Sequence, residues 1–497
     1  MKVLYVCTEL YPLLKTGGLG DVGAALPPAL RDAGCDVRVL LPGFPSIRSG
    51  VSRSRQPPAS PLALPDGEGP RLASLKLKQP PSLQPAILPG SDLAAYVLDV
   101  PALFNRPGSP YDDRLGDNGI RFALFGWAAA CLGHGLDPNW QPDVLHCHDW
   151  HTGMGPLYLR QMAMPGPPPA GSVFTIHNLS YQGLFPPSLF PQLGLPDYLY
   201  GIDGIEFWGH VSFMKAGLQS ADRITTVSPT YAREILEPQQ GCGLDGLLRS
   251  RSGVVSGILN GVDYQVWSPA SDGVLAHPYD WDCLGNKALA KAQLQRRMGL
   301  QERSGALVFG VVSRLTEQKG LKLVEAVADE LVGMGGQLAM LGAGDPPLEH
   351  AFRRTAGRHP GQVAMEIGYD EALAHAIMGG ADVIMVPSRF EPCGLTQMYA
   401  LRYGALPLVH RVGGLADTVV DATAQNVEAG RATGFGFEDF SAPQLRRALR
   451  RAFDLYAQPD VWTRVQQNAM KQRFDWHEAA ARYAALYRSL KRQAVDS

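Results

Sequence analysis

Short apolar runs of strand length alternate with segments of helical periodicity along most of this chain, which confines it to parallel α/β architecture. Val3 to Cys7, Asp36 to Leu41, Val144 to Cys147, Val173 to Ile176 and Arg223 to Val227 read as buried strands of one sheet. Leu307 to Ser313, Gln337 to Leu341, Val363 to Ile367, Val383 to Val386 and Leu406 to Val409 repeat the pattern, with helices such as Leu321 to Leu331 and Leu395 to Tyr403 between them. A closed barrel alternates in the same way but is complete in roughly 250 residues. A chain of 497 residues is therefore expected to fold as two open sheets in two domains. The boundary is expected near Gly257 to Ser268, where Asn260-Gly261 and Trp267-Ser268-Pro269 punctuate the chain, and Trp476 to Leu490 reads as a final amphipathic helix. The proline-rich stretch Gln56 to Pro89 reads as surface loop, with one short hairpin at Ser74 to Lys78.

Charge and cysteine usage narrow the function. Forty-five Lys and Arg against 47 Asp and Glu leave a net charge of -2, so no global cationic field invites nucleic acid or an anionic membrane. Any phosphate must be met locally. The seven cysteines (Cys7, Cys35, Cys131, Cys147, Cys242, Cys283, Cys393) are scattered without the paired spacing of a zinc or dithiol site, as suits a reducing cytoplasm. The apolar run at the N-terminus is too short for a signal segment, and no stretch of about 18 uninterrupted apolar residues follows, so neither export nor anchoring is expected.

Gly18-Leu19-Gly20-Asp21-Val22-Gly23 fits the G-x-G-x-x-G pattern of a dinucleotide-binding turn. Two features set it apart. The first glycine of that pattern closes the strand directly, whereas Thr8 to Gly17 intervene here, and the acidic residue due about 20 residues on is missing from Val39-Leu40-Leu41-Pro42-Gly43-Phe44. What remains is a glycine-rich loop carrying Lys15 into a helix N-terminus, where Gly17 and Gly18 let backbone N–H groups approach a diphosphate. A plain loop with a solvated lysine has the same composition, so this loop alone leaves both readings open.

Lys15-Thr16-Gly17-Gly18-Leu19 resembles the signature of bacterial glycogen synthases and plastid starch synthases, which use ADP-glucose. His148-Asp149-Trp150-His151, Thr175-Ile176-His177-Asn178-Leu179, Leu259-Asn260-Gly261-Val262-Asp263, Ser313-Arg314-Leu315-Thr316-Glu317-Gln318-Lys319-Gly320 and Pro387 to Gln397 are similar to that family, in its order. The resemblance implies the GT-B fold, two Rossmann-like domains facing a cleft. On this view residues 1–257, completed by a C-terminal helix at 474–497, form the glucan side, and 258–473 form the nucleotide-sugar side. It further implies glucosyl transfer from ADP-glucose to an α-1,4-glucan with retention of configuration and no bound metal or other cofactor.

Such a transfer leaves negative charge on a departing diphosphate. Arg314 and Lys319, in the loop after the first strand of the second domain, are placed to neutralise it, although a structural salt bridge is the other reading of any such cation. Glu391 follows another apolar strand and is suited to hold sugar hydroxyls, or else serves as a helix N-terminal charge; Cys393, Gly394, Leu395 and Thr396 open that helix toward the donor. Related retaining transferases carry a second glutamate eight residues later. Here that position is Tyr399, which removes a paired-carboxylate mechanism and leaves front-side transfer, the diphosphate oxygen taking the acceptor proton. His177 is either a satisfied core histidine or, by the resemblance, a hydrogen-bond donor to glucose. The resemblance also gives Asp149 a cleft role rather than a metal-binding one with His146, His148 and His151, and lets Asp21 and Asn260 contact sugar. Cys393 lacks an activating histidine nearby in sequence and is expected to supply shape alone.

Overall fold

The computed structural model describes residues 1–53, 60–65, 69–72, 75, 77–162 and 168–496. They form two compact units, Met1–Gly261 with Trp476–Ser497, and Val262–Asp475.

In the first unit seven parallel strands lie in the order Val255–Gly257, Arg223–Thr226, Gly171–Ile176, Val144–His148, Lys2–Val6, Asp36–Pro42 and Ala94–Asp99. Chain order reverses between Lys2–Val6 and Val144–His148. That reversal opens a crevice beyond the carboxyl ends of these two strands, where ligands bind in sheets of this kind. The helix Gly18–Asp32 packs against the C-terminal helix Trp476–Asp496, whose Trp476, Ala480, Tyr483 and Tyr487 are buried in this unit's core. The Tyr487 hydroxyl ties that helix to the sheet through His146 Nδ1 at 2.7 Å.

The stretch Gln56 to Pro89 is not all loop. Ser82–Ile87 is a strand, antiparallel to Ala94–Asp99 and paired on its other edge with Ser52–Arg53 and Leu62–Ala63. Pro85 and the neighbouring prolines mask it in sequence, but Leu83 and Ala86 are buried and tertiary packing overrides the local signal. The hairpin expected at Ser74 to Lys78 rests on Ser74 and Lys76, which lie outside the described residues.

The second unit is a six-stranded parallel sheet in the order Val363–Ile367, Gln337–Gly342, Val308–Val312, Val383–Val386, Leu406–His410 and Phe435–Phe437. Both faces are covered, as a parallel sheet requires. Phe309 and Val311 join one apolar cluster with Val324, Leu338 and Leu408, while Val308 points the other way to Leu294, Ala339 and Ile384. The order is that of a Rossmann sheet, reversing between Val308–Val312 and Val383–Val386.

Candidate functional site

Two loops leave the sheet of the second unit at its reversal. Ser313 to Gly320 follows the first strand, and Pro387 to Leu395 follows the fourth. They are laced together, Arg389 N donating to Gln318 O at 2.8 Å and Gln318 Nε2 to Phe390 O at 3.3 Å. Gly320 has φ +68°, and a Cβ there would lie 2.0 Å from Pro387 O, so only glycine allows the loops to close. Lys319 Nζ thereby reaches Glu391 Oε2 at 2.6 Å, and Ser388 Oγ donates to the same oxygen at 2.8 Å. Glu391 is buried, and its Oε1 meets no protein donor among the described residues. Arg314 is exposed, with no protein partner for its guanidinium among them. Both sequence readings of the cations thus have an example here: Lys319 is ion-paired, Arg314 is available.

The Glu391 backbone is fixed from the other side. Gly413, with φ +45°, leaves no room for a Cβ, which would fall 2.0 Å from Glu391 O, and Gly414 N donates to the carbonyls of Glu391 and Pro392 at 3.2 Å each. Gly394, half-buried with φ +71°, leads through Leu395 into the helix Thr396–Arg402. The carbonyls of Cys393 and Gly394 accept from Gln397 Nε2 at 3.0 and 2.9 Å, while the Cys393 side chain is buried. Tyr399 is not a vacant carboxylate position. Its ring stacks on Trp267 with centroids 4.0 Å apart, and Trp267 stacks on His375 at 3.9 Å, making an aromatic column in the core.

In the first unit the long Thr8 to Gly17 turn is organised by a residue that sequence reasoning missed. Glu9 is 2% exposed and accepts from Thr16 N at 2.5 Å, Thr16 Oγ1 at 2.6 Å and Gly17 N at 3.3 Å, while the Tyr111 hydroxyl donates to it at 2.5 Å. The carboxylate folds the loop back so that Gly18 opens its helix. A glutamate directly after the first strand was the only sequence signal, and its partner Tyr111 lies 102 residues away. Lys15 Nζ is paired with Asp21 Oδ1 at 2.7 Å, both about one-quarter to one-third exposed. Asn260 is buried in this unit, and its side chain meets no hydrogen-bond partner among the described residues.

The strands ending at His148 and Ile176 bring Asp149 and His177 together. Asp149 is held at φ +61°, ψ 177°, a conformation otherwise almost confined to glycine, and its Oδ1 accepts from the backbone N–H groups of His177 and Asn178 at 3.2 and 3.4 Å. Burial pushes its carboxyl up to about 7. Burial also pushes His177 down to about 3, so its half-buried ring is neutral. His146 is likewise lowered to about 3, and His148 and His151 well below the usual imidazole range. The histidines are engaged with other side chains: His146 bonds Thr175 and Tyr487, His151 stacks on Tyr111, and no group of three or more His, Cys, Asp or Glu placed to hold an ion occurs among the described residues. A cavity of about 530 Å³ is lined by Trp150, the residue after Asp149, with Tyr181, Leu184 and Phe207, whereas a larger one, about 730 Å³ near Trp208, shares Phe207 but includes neither Asp149 nor His177.

Residues 2–250 match the family model of the starch synthase catalytic domain, and residues 294–471 that of the group 1 glycosyl transferases. A glycogen synthase of Albidiferax ferrireducens is 57% identical over 495 residues, covering 99% of each chain. The chain belongs to the glycogen synthase family of glycosyltransferases. Membership of the glycogen synthases extends well beyond one pair: the glycogen synthase of Francisella tularensis subsp. novicida is 49% identical over 99% of this chain and 100% of its own. The catalytic domain of starch synthase IV from Arabidopsis thaliana, solved with ADP and acarbose bound, superposes with a TM-score of 0.85 at 31% identity over 99% of both chains. The two α/β units are those of the GT-B fold.

Proposed function

We propose that this protein transfers glucose from ADP-glucose to the non-reducing end of an α-1,4-glucan in the cytoplasm, releasing ADP, retaining the anomeric configuration and needing no metal. The observation that carries this reading is the Lys319–Glu391 pair at the reversal of a Rossmann sheet, with Arg314 on the same loop as Lys319 and without a protein partner among the described residues. Cleaving C1–O builds charge on the leaving diphosphate. Arg314 meets that charge directly, and Lys319 does so from a position fixed by Glu391. The Oε1 of Glu391, which meets no protein donor among the described residues, and the N–H groups at Gly394, Leu395 and Thr396 hold the donor, while the buried Cys393 shapes the turn.

From the first unit, Lys15 exchanges Asp21 for a phosphate oxygen, with Gly17 and Gly18 supplying close backbone approach. Asp149, His177 and Asn260 address the transferred sugar, and Asp21, once released, a sugar hydroxyl. The cavity beside Trp150 suits the acceptor glucan. With no second glutamate at Tyr399, the diphosphate oxygen accepts the incoming hydroxyl's proton on the face it leaves. The seven cysteines, none of them in a disulfide, and the lack of a membrane-crossing helix among the described residues support a cytoplasmic site.

The test is ADP release from purified protein with glycogen as acceptor, comparing ADP-glucose with UDP-glucose. Faster turnover of ADP-glucose is expected. Equal or faster use of UDP-glucose overturns the donor assignment.

A further inference from the structure

His148 ends the strand Val144–His148 and is fully buried, between the ring of Tyr5 at 4.1 Å and that of His146 at 4.0 Å. Its Nδ1 lies 2.9 Å from His177 Nε2, and its own Nε2 is sealed in the core without a partner among the described residues. The outward nitrogen of His177, Nδ1, also has no protein partner among them, but it is not sealed. Two neutral imidazoles sharing one hydrogen bond hold one proton between them, and its placement fixes what His177 presents outward.

If His177 Nε2 carried that proton, His148 would accept at Nδ1 and bear its own hydrogen on Nε2, as a buried N–H with nothing to receive it. If His148 Nδ1 carries it, the sealed Nε2 is only an unfilled lone pair. An orphaned buried N–H is the rarer state in folded proteins, so the second arrangement prevails. We infer that His148 is a positioning residue that donates to His177 Nε2 and thereby locks His177 in the Nδ1–H tautomer, facing the substrate as a hydrogen-bond donor to an oxygen of the transferred sugar or its leaving group. Asp149 assists by accepting the His177 backbone N–H, which fixes the main chain while His148 fixes the ring. Removing one preorganised donor outright costs roughly 100- to 1,000-fold in rate, so loss of its tautomer lock alone should cost less. The consequence for turnover rests on the proposed glucosyl transfer; the tautomer does not.

The first test is nitrogen NMR of the full chain labelled at imidazole nitrogens, with His177 identified by its loss in His177→Asn. A protonated, pyrrole-type Nδ1 and an unprotonated, pyridine-type Nε2 are expected on His177, and the reverse pattern overturns the inference. The second is kinetic. His148→Phe keeps a buried ring but no donor and should lower kcat about 10- to 100-fold with little change in KM for glycogen. His148→Asn places an amide N–H where Nδ1 stood and should recover at least half of that loss on a logarithmic scale. Equal kcat for unaltered, Phe and Asn proteins refutes the role. If His148→Phe does not fold, the NMR pattern and the Asn variant still decide. Absence of ADP release from the unaltered protein would instead count against the glucosyl transfer and leave the NMR result standing.

Discussion

Lys319→Ala separates the two things this lysine does. Its Nζ sits 2.6 Å from Glu391 Oε2 in a pair whose side chains are 19% and 8% exposed. Breaking a fully buried pair costs about 3–5 kcal/mol because one charge is left alone. Here Ser388 still donates to the same oxygen at 2.8 Å and Lys319 retains some solvent, which reduces the expected stability loss to about 1–3 kcal/mol. Changing the partner as well, in Lys319→Ala with Glu391→Gln, removes the orphaned charge and should restore most of that stability without restoring rate. Catalysis loses one contact to the leaving group, about 3 kcal/mol or roughly 100-fold in kcat, while KM for glycogen holds. Urea unfolding reads the first effect and ADP release the second. A double variant that regains activity along with stability would refute a leaving-group role and make the lysine structural.

Other expectations follow from single contacts. Gly413→Ala forces a Cβ against Glu391 O, so ADP-glucose turnover should fall at least tenfold while the far-UV spectrum stays unchanged; full activity would show that the Glu391 loop need not be fixed. Tyr487→Phe strands His146 Nδ1 and should cost about 1–3 kcal/mol in urea unfolding, and no loss would mean that this hydrogen bond does not hold the C-terminal helix. Asp149 titrates near 7 when folded and near 3.8 when unfolded, so the native state binds more protons between those values and this group's contribution to stability falls as pH rises from about 4 to 7. Asp149→Asn should therefore gain stability over the unaltered protein across that window and keep the gain above it; a difference independent of pH would contradict the burial argument.

How far the sequence foretold this depended on whether a feature was local. The buried parallel strands announced themselves as apolar runs: Val383–Val386, buried throughout, has the expected bounds because a strand covered on both faces needs no alternation, and the less buried edge strand Val363–Ile367 has them as well. Ser82–Ile87 did not, since its proline and glutamine suit an antiparallel outer strand whose burial comes from distant partners. Arg314, Lys319 and Glu391 could be picked out because each follows a strand end within a stretch that resembles the family's, but the pairing of Lys319 with Glu391 could not. Glu9 and His148 were invisible as functional residues for one reason: an acid or imidazole becomes a positioning group only when a remote chain segment, at Tyr111 or His177, arrives beside it.

The central claim is that Arg314, on the loop that also carries the Lys319 of the Lys319–Glu391 pair, meets the diphosphate of the donor, and calorimetric titration of ADP tests it most directly. Arg314→Ala should weaken ADP binding about 10- to 100-fold, the value of one charge-assisted hydrogen bond. ADP affinity unchanged in Arg314→Ala would contradict the account.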